Sequence, residues 1–382
     1  MFILKRRKCI KKQLAVTGGI NPERVLNPFG VATKIIFAQN ILMKSFRTVV
    51  NPEKSPFLIS HTDKIVSIGS CFSENIGKKF KEYKFNININ PFGQQYNPHS
   101  IAAAIERLLN PILYTEKDLV YHDELYHSYD HHSSFSRSTV KEALHVINDN
   151  LLQASEDLKH ATVLFLTFGT SHVFELKVEG NQKLETSNQR IQEARIVSNC
   201  HKLSGTQFEK RFMKPDEIVS VLSKTLSKLH TANFQLHTVL TVSPVRYFAF
   251  GHHENTVSKA HLFAAIQELR QQQTDYFYFP AYELVMDDLR DYRFFAEDML
   301  HPNYQATNYV WEKLCTTMLQ PKTITLMSDM EELLLAARHK PRNPTSEAHQ
   351  KFVQKNLAKL EKLEKEFALQ FDEERKELTR FS

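Results

Sequence analysis

Ser70 and Cys71 stand side by side in the run Lys64-Ile65-Val66-Ser67-Ile68-Gly69-Ser70-Cys71-Phe72-Ser73-Glu74-Asn75-Ile76, and Asp298 precedes His301 by three residues in Asp298-Met299-Leu300-His301-Pro302-Asn303. A hydroxyl or thiol served by an imidazole, with a carboxylate to orient that imidazole, is the arrangement that nucleophilic catalysis needs. Taken alone, each stretch has a plainer reading. The first is a tight strand–helix turn with an inert buried cysteine; the second is a pair that occurs by chance in many chains.

The elements around these residues favour a shared site. Ile65, Val66 and Ile68 suit a buried strand, and Ile76, Phe80 and Tyr83 fall at helical spacing just after it. Ser70 and Cys71 are therefore expected at a helix N-terminus, where free N–H groups and the positive dipole end favour an oxyanion or thiolate. Gly69 permits the tight exit from the strand.

Farther along, strands and helices alternate. Phe85-Asn86-Ile87-Asn88-Ile89 reads as a strand, 99–109 as a helix, and Thr139 with Glu142 as a capping box for a helix to about residue 159. Val163-Leu164-Phe165-Leu166-Thr167-Phe168 is a continuous apolar run of the kind found in central parallel strands. Residues 173–212 read as an insertion with a hairpin turning at Glu179-Gly180-Asn181. Helices over 215–230 and 256–271 bracket a strand at 238–242, and a strand at 276–279 is followed by helices at 283–290 and 304–319. The expected fold is α/β, with a doubly wound, mostly parallel sheet flanked by helices.

The order of motifs resembles the GDSL/SGNH hydrolase superfamily, in which a Gly-Asp-Ser turn follows the first strand and Asp-x-x-His precedes the last helix. Gly69-Ser70-Cys71-Phe72 is closer still to the signature of its GSCFA branch, with Ser73 where that family's name has Ala. Asn90-Pro91-Phe92-Gly93, Gly169-Thr170, Asn199-Cys200-His201-Lys202, Val242-Ser243-Pro244-Val245-Arg246 and Asp291-Tyr292-Arg293-Phe294 continue the series. The resemblance spans about residues 44–320 and implies a three-layer SGNH-like sandwich and activity as an ester hydrolase on an acyl or acetyl ester. An acyltransferase uses the same parts, and a non-catalytic binding or assembly module keeps the fold without the chemistry.

On that resemblance His301 is the general base and Asp298 its orienter. Counting from the glycine places the superfamily's serine at Cys71, with Ser70 as the other candidate nucleophile. A helix start and His301 are expected to lower the Cys71 pKa. Gly93 corresponds to the glycine that lends an N–H to the oxyanion hole, though a turn glycine explains it nearly as well. The third block, usually Gly-x-Asn-Asp, here reads Gly169-Thr170-Ser171-His172. That departure leaves the third oxyanion donor open among Thr170, Ser171 and Asn199. His172 stands where the GSCFA family commonly has Trp. Asn199 and His201 are candidates for a cleft-facing loop, and Arg246 is either an anion binder or a salt-bridge partner of Asp291 or Asp298.

Residues 121–136 carry His122, His127, His131 and His132 among Asp123, Glu124 and Asp130. Their spacing matches no ordered ligand set, so the stretch reads as a loop at the cleft or on the surface, and no cofactor or metal is called for.

Composition excludes several other classes. The net charge of +6 comes from residues 1–42, which hold eight Lys and Arg against the single acid Glu23; the remainder has 41 basic and 42 acidic residues, giving no nucleic-acid footprint. Residues 1–42 fit a signal peptide poorly; their scarcity of acids leaves a transit peptide open, and the preferred reading is a basic, over-extended start before Met43. No apolar run approaches the roughly 20 residues of a membrane span. Four widely separated cysteines read as reduced thiols in a cytoplasmic protein. The domain is expected over 43–322. In the tail, 331–382, Val353, Leu357, Leu360, Leu363, Phe367 and Phe371 form an amphipathic stripe that needs either a second copy or the domain itself to cover it. The expected partner of the site is a small-molecule or carbohydrate ester.

Overall fold

The structure is a computed structural model that describes residues 47–177, 195–273, 275–367 and 369–380. The chain divides into two units, Met1–Val49 and Val50–Ser382, and every element below lies in the second. The basic extension and the turn at 179–181 fall outside the described residues.

Five parallel strands form the central sheet: β1 (Lys64–Gly69), β2 (Asn86–Ile89), β5 (Val163–Phe168), β9 (His237–Val242) and β10 (Tyr276–Tyr278), in the spatial order β2–β1–β5–β9–β10. The intervening β3 (Leu119–His122) and β4 (Leu125–Ser128) form a separate hairpin, and β6 (His172–Leu176), β7 (Arg195–Val197) and β8 (Phe208–Phe212) a three-stranded antiparallel sheet. Every residue of β5 is buried, as its apolar run requires of a strand covered on both faces.

Helices cover both faces. On one side α2 (Pro98–Leu109), α3 (Val140–Lys159), α4 (Pro215–Ala232) and α5 (His252–Gln272) pack against Val66, Ile68, Leu164 and Leu240. On the other, α1 (Cys71–Glu82) and α6 (Tyr304–Met318) pack against Ile65, Val163, Phe165 and Val239 through Phe72, Phe80, Val310 and Trp311. Winding reverses between β1 and β5, and in open α/β sheets ligands bind beyond the carboxyl ends of the strands at such a switch point.

Three features differ from expectation. The β3–β4 hairpin, from Leu119 to Ser128, runs into the stretch 121–136 and is turned by Asp123 and Glu124 at φ of 49° and 59°. Such a two-residue turn is usually marked by glycine, which is absent here. The segment after β10 begins with the short helix Ala281–Glu283 and continues as a π-helical turn, Leu284–Asp288. Three helices, α7 (Pro321–Arg338), which begins ahead of the tail, and α8 (Glu347–Phe367) and α9 (Asp372–Thr379) within it, share a core of Leu326, Met330, Leu333, Leu360, Leu363 and Phe371. Lys84–Glu374 and Arg338–Glu82 ion pairs tie this core to the end of α1. Of the amphipathic stripe, Leu360, Leu363 and Phe371 are covered by docking within the chain, and Phe367 stays 40% exposed.

Candidate active site

Gly69 ends β1 where the strand runs against β5. A Cβ there would lie 2.4 Å from the Thr167 carbonyl oxygen, so close approach, and not the sign of φ, requires the glycine. Its N–H donates to Asn90 Oδ1 (2.9 Å), and its carbonyl accepts from the Gln95 N–H (2.9 Å). Ser70 is the N-cap of α1, and Cys71 is the first helical residue. Adjacent side chains thereby enter different surroundings. Ser70 is 1% exposed, its Oγ makes no hydrogen bond among the described residues, and its Cβ faces Gly169. Cys71 is half-buried.

Burial pushes the Cys71 thiol up, while the N–H groups of Phe72 and of Cys71 itself pull it down; Glu74 adds to the rise and Lys259 opposes it. The net direction is upward, against the expectation of a thiol lowered by the helix start. Desolvation outweighs the helix terminus because Phe72 and Ser73 beside it are almost fully buried. Tyr96 belongs to the same surroundings: burial, with Cys71 and Glu74 adding to it, raises its phenol to about 12.

Lys259, on α5, was not among the expected residues. It is 2% exposed, and its Nζ donates to the carbonyl oxygens of Gly169 and Ser243, both at 2.7 Å. Those carbonyls lie just past the carboxyl ends of β5 and β9, beside the switch point. A signal for it existed in the sequence. Lys259 shares the buried face of α5 with Ser258, Leu262, Ala265, Ile266 and Leu269, so it is a lysine on a core stripe.

Asp298 and His301 are joined by a side-chain hydrogen bond. Nδ1 of His301 lies 2.6 Å from Asp298 Oδ2, and Asp298 Oδ1 accepts from the N–H groups of His301 and Leu300. These two N–H groups, with the ring, hold the Asp298 carboxyl down at about 2. Met299, at φ 56°, supplies the left-handed turn that brings both amides to one oxygen. The pair sits on the surface ahead of α6, with side chains 41% and 46% exposed. Among the described residues no hydrogen bond joins the imidazole to Cys71 or Ser70.

The remaining candidates divide. The Gly93 N–H donates to Asn90 O (2.7 Å), so it serves the turn and not an oxyanion. A Cβ at Gly93, where φ is 73°, would meet His132 at 2.3 Å. Gly169 is in place beside Ser70, held by its N–H donating to Tyr96 O (2.8 Å). Thr170 Oγ1 and Ser258 Oγ share a hydrogen bond, and Ser258 Oγ accepts from the Ser171 N–H. His172 is buried between the rings of Phe212 and Phe250, without a hydrogen bond among the described residues and with Glu254 Oε2 3.8 Å from its Nε2. Asn199 caps the His201 N–H, and His201 contacts Ser128 O; the neighbouring Ser198 Oγ reaches Gln95 Oε1, which links this loop to the exit of β1. Arg246 bonds Asn255 and Thr256 at the start of α5, and not Asp291, which pairs with Arg293, or Asp298.

A cavity of about 20 Å³ beneath α1, lined by Ser67, Phe72, Ser73, Thr167 and Thr241 among others, is the size of a single water and too small for a substrate. Among the described residues no group of three or more His, Cys, Asp or Glu could hold a metal ion.

Fold and site together define a doubly wound α/β protein with a strand–turn–helix elbow that carries a thiol and a hydroxyl at its switch point. The chain belongs to the GSCFA family: that family's profile matches residues 64–314, and that of the GSCFA domain protein C-terminal domain matches residues 330–381. No curated protein matches the chain. Among solved structures, a carbohydrate esterase family 3 protein from Talaromyces cellulolyticus is similar at 10% identity and a TM-score of 0.30, over 70% of this chain and 99% of that one. An acetyl esterase mutant with acetate ion is similar at 17% identity and a TM-score of 0.20, over 31% of this chain and 52% of that one.

Proposed function

We propose that this protein hydrolyses acyl or acetyl esters of a small molecule or carbohydrate, with Cys71 as nucleophile, His301 as general base and Asp298 as its orienter. The observation that carries the reading is the position of Cys71: first residue of α1, half-buried, at the switch point of the sheet, where the N–H groups of the helix start act to lower its thiol. In the reaction, His301 Nε2 takes the thiol proton as Sγ bonds to the ester carbonyl carbon. The carbonyl oxygen becomes an oxyanion beside the N–H groups at the start of α1. The tetrahedral adduct expels the alkoxide, which leaves with the proton from His301, and a thioester remains. Water, deprotonated by His301, attacks the thioester and restores the thiol. His301 must come within hydrogen-bond reach of Sγ when substrate binds, and such contacts are commonly long before it does. An acceptor alcohol in place of water makes the same site an acyltransferase.

The setting is proposed to be cytoplasmic, with thiols reduced; no helix among the described residues is long and apolar enough to cross a membrane. The upward shift of Cys71 and the lack of a hydrogen bond from His301 favour one rival, a non-catalytic binding or assembly module. Short-chain nitrophenyl esters offered to the purified protein decide between them. Turnover lost in both Cys71→Ala and His301→Ala supports the enzyme, and turnover that survives both rules this mechanism out.

A further inference from the structure

Lys259 presents an electrostatic problem. A buried ammonium is costly unless paired. This one has two carbonyl oxygens as hydrogen-bond partners, Gly169 and Ser243, and no carboxylate within ion-pairing distance among the described residues. An ammonium has three N–H donors, and the two carbonyls occupy two. Gly169, whose carbonyl holds Nζ, packs against Ser70, the residue before Cys71: a Cβ on Gly169 would lie 3.5 Å from that of Ser70. Cys71 on α1 is the acidic group that acts on it, Arg246 beyond β9 is a second cation, and the Tyr282 ring lies 5.9 Å from Nζ. On the Cys71 side, Glu74 opposes a thiolate and Lys259 favours one.

We propose, building on the nucleophile assigned above, that Lys259 is a positioning residue for Cys71: clamped by Gly169 and Ser243, its Nζ stabilises the Cys71 thiolate while it carries its proton. The backbone carbonyls hold Nζ just past the carboxyl ends of β5 and β9, on the side of the sheet where β1 leads into Cys71. Burial pulls the amine down to about 7, Cys71 counters that fall and Arg246 adds to it. Two such groups titrate as a pair: the first proton lost is shared between amine and thiol, so some thiolate exists at a pH where an isolated buried thiol would hold none.

The test is the pH dependence of Cys71 alkylation by iodoacetamide, read by mass spectrometry peptide by peptide. In the unchanged protein the rate should rise through neutral pH. In Lys259→Met the rise should move up by a unit or more, which is about a tenfold slower rate at pH 7. Circular dichroism establishes that the variant is folded. Superimposable profiles from a folded Lys259→Met would overturn the proposal. Should that variant not fold, the lysine Cε signals of the 13C-labelled protein give the reciprocal measurement. The lysine titrating near neutral pH should titrate lower in Cys71→Ala, and an unmoved titration is equally fatal. Neither readout uses an ester, so failure of the hydrolase reading leaves this result standing, and ester turnover cannot rescue it.

Discussion

His301 Nδ1 meets Asp298 Oδ2 at 2.6 Å, while the same carboxylate's other oxygen accepts two backbone N–H groups. The carboxylate is thus fixed by the backbone before it touches the ring, and the ring's Nδ1–H is fixed by the carboxylate. Nε2 is left as the proton acceptor. If this pair is the base, His301→Ala should lower turnover by roughly 10²–10⁴ with the fold intact. Asp298→Asn should lose nearly as much, because the amide can hold the wrong tautomer. Steady-state kinetics on the best nitrophenyl ester measure both, and wild-type rates in either variant remove the pair from the mechanism.

His172 gives a prediction of the opposite kind. Its ring is stacked on Phe212 at 4.2 Å between centroids, neither ring nitrogen has a hydrogen bond among the described residues, and burial draws its pKa down to about 4. His172→Phe keeps the stacking and removes two unpartnered polar atoms, so stability should hold or rise by about 1 kcal/mol. Urea unfolding checks this; a loss beyond that size would mean that the imidazole has a role of its own.

His131 and His201 are likewise drawn down to about 4 by burial. With His172, three histidines are held neutral by the fold. A folded pKa below the unfolded value near 6.5 means that their contribution is complete above about pH 6.5 and is lost as pH falls toward 4. Melting temperature should therefore fall steadily from pH 7 to pH 5, less steeply in His172→Phe. A flat profile over that window contradicts the neutral assignment.

Much of this architecture could be read from the chain. The buried run Val163–Phe168, the Thr139–Glu142 cap and the alternation of elements gave the parallel sheet, since each rests on a local pattern that tertiary context left alone. Helix α7 escaped because its apolar residues serve two cores: Met327 packs toward α1 and α6, and Leu326, Met330 and Leu333 toward α8 and α9. No single stripe results. At the site, residue types were legible and hydrogen-bond partners were not. The sequence pattern cannot show that Asn90 O occupies the Gly93 N–H, nor that Asn255 and Thr256 occupy Arg246.

The tail supplies a stability prediction. Phe371 is fully buried, and Lys84 Nζ lies 5.3 Å from its ring centre. Phe371→Ala should cost about 3–5 kcal/mol for the core it fills. Deletion after Thr345 would strip Leu360, Leu363 and Phe371 from α7 and lower the melting temperature. If chemical denaturation shows the truncated chain as stable as the whole, these helices are not part of the cooperative unit.

The last prediction separates the two candidate nucleophiles. Ser70 Oγ is enclosed beside Gly169, whereas Cys71 is only half-buried and is acted on by Lys259. A nucleophile must reach its substrate, so exposure favours the thiol. The same difference bears on competition among cysteines. Burial raises Cys200 to about 11 and Cys315 to about 12, with no cation among the causes of either shift. Iodoacetamide should therefore label Cys71 ahead of both at neutral pH. Cys71→Ala should abolish ester turnover, and Ser70→Ala should impair it only as far as the turn against Gly169 loosens. Cys71→Ser keeps a hydroxyl at the helix start and should retain a small residual rate if His301 is the base. The reverse pattern, with Ser70→Ala inactive and Cys71→Ala unchanged, assigns the nucleophile to Ser70 and leaves Cys71 a structural thiol at the start of α1.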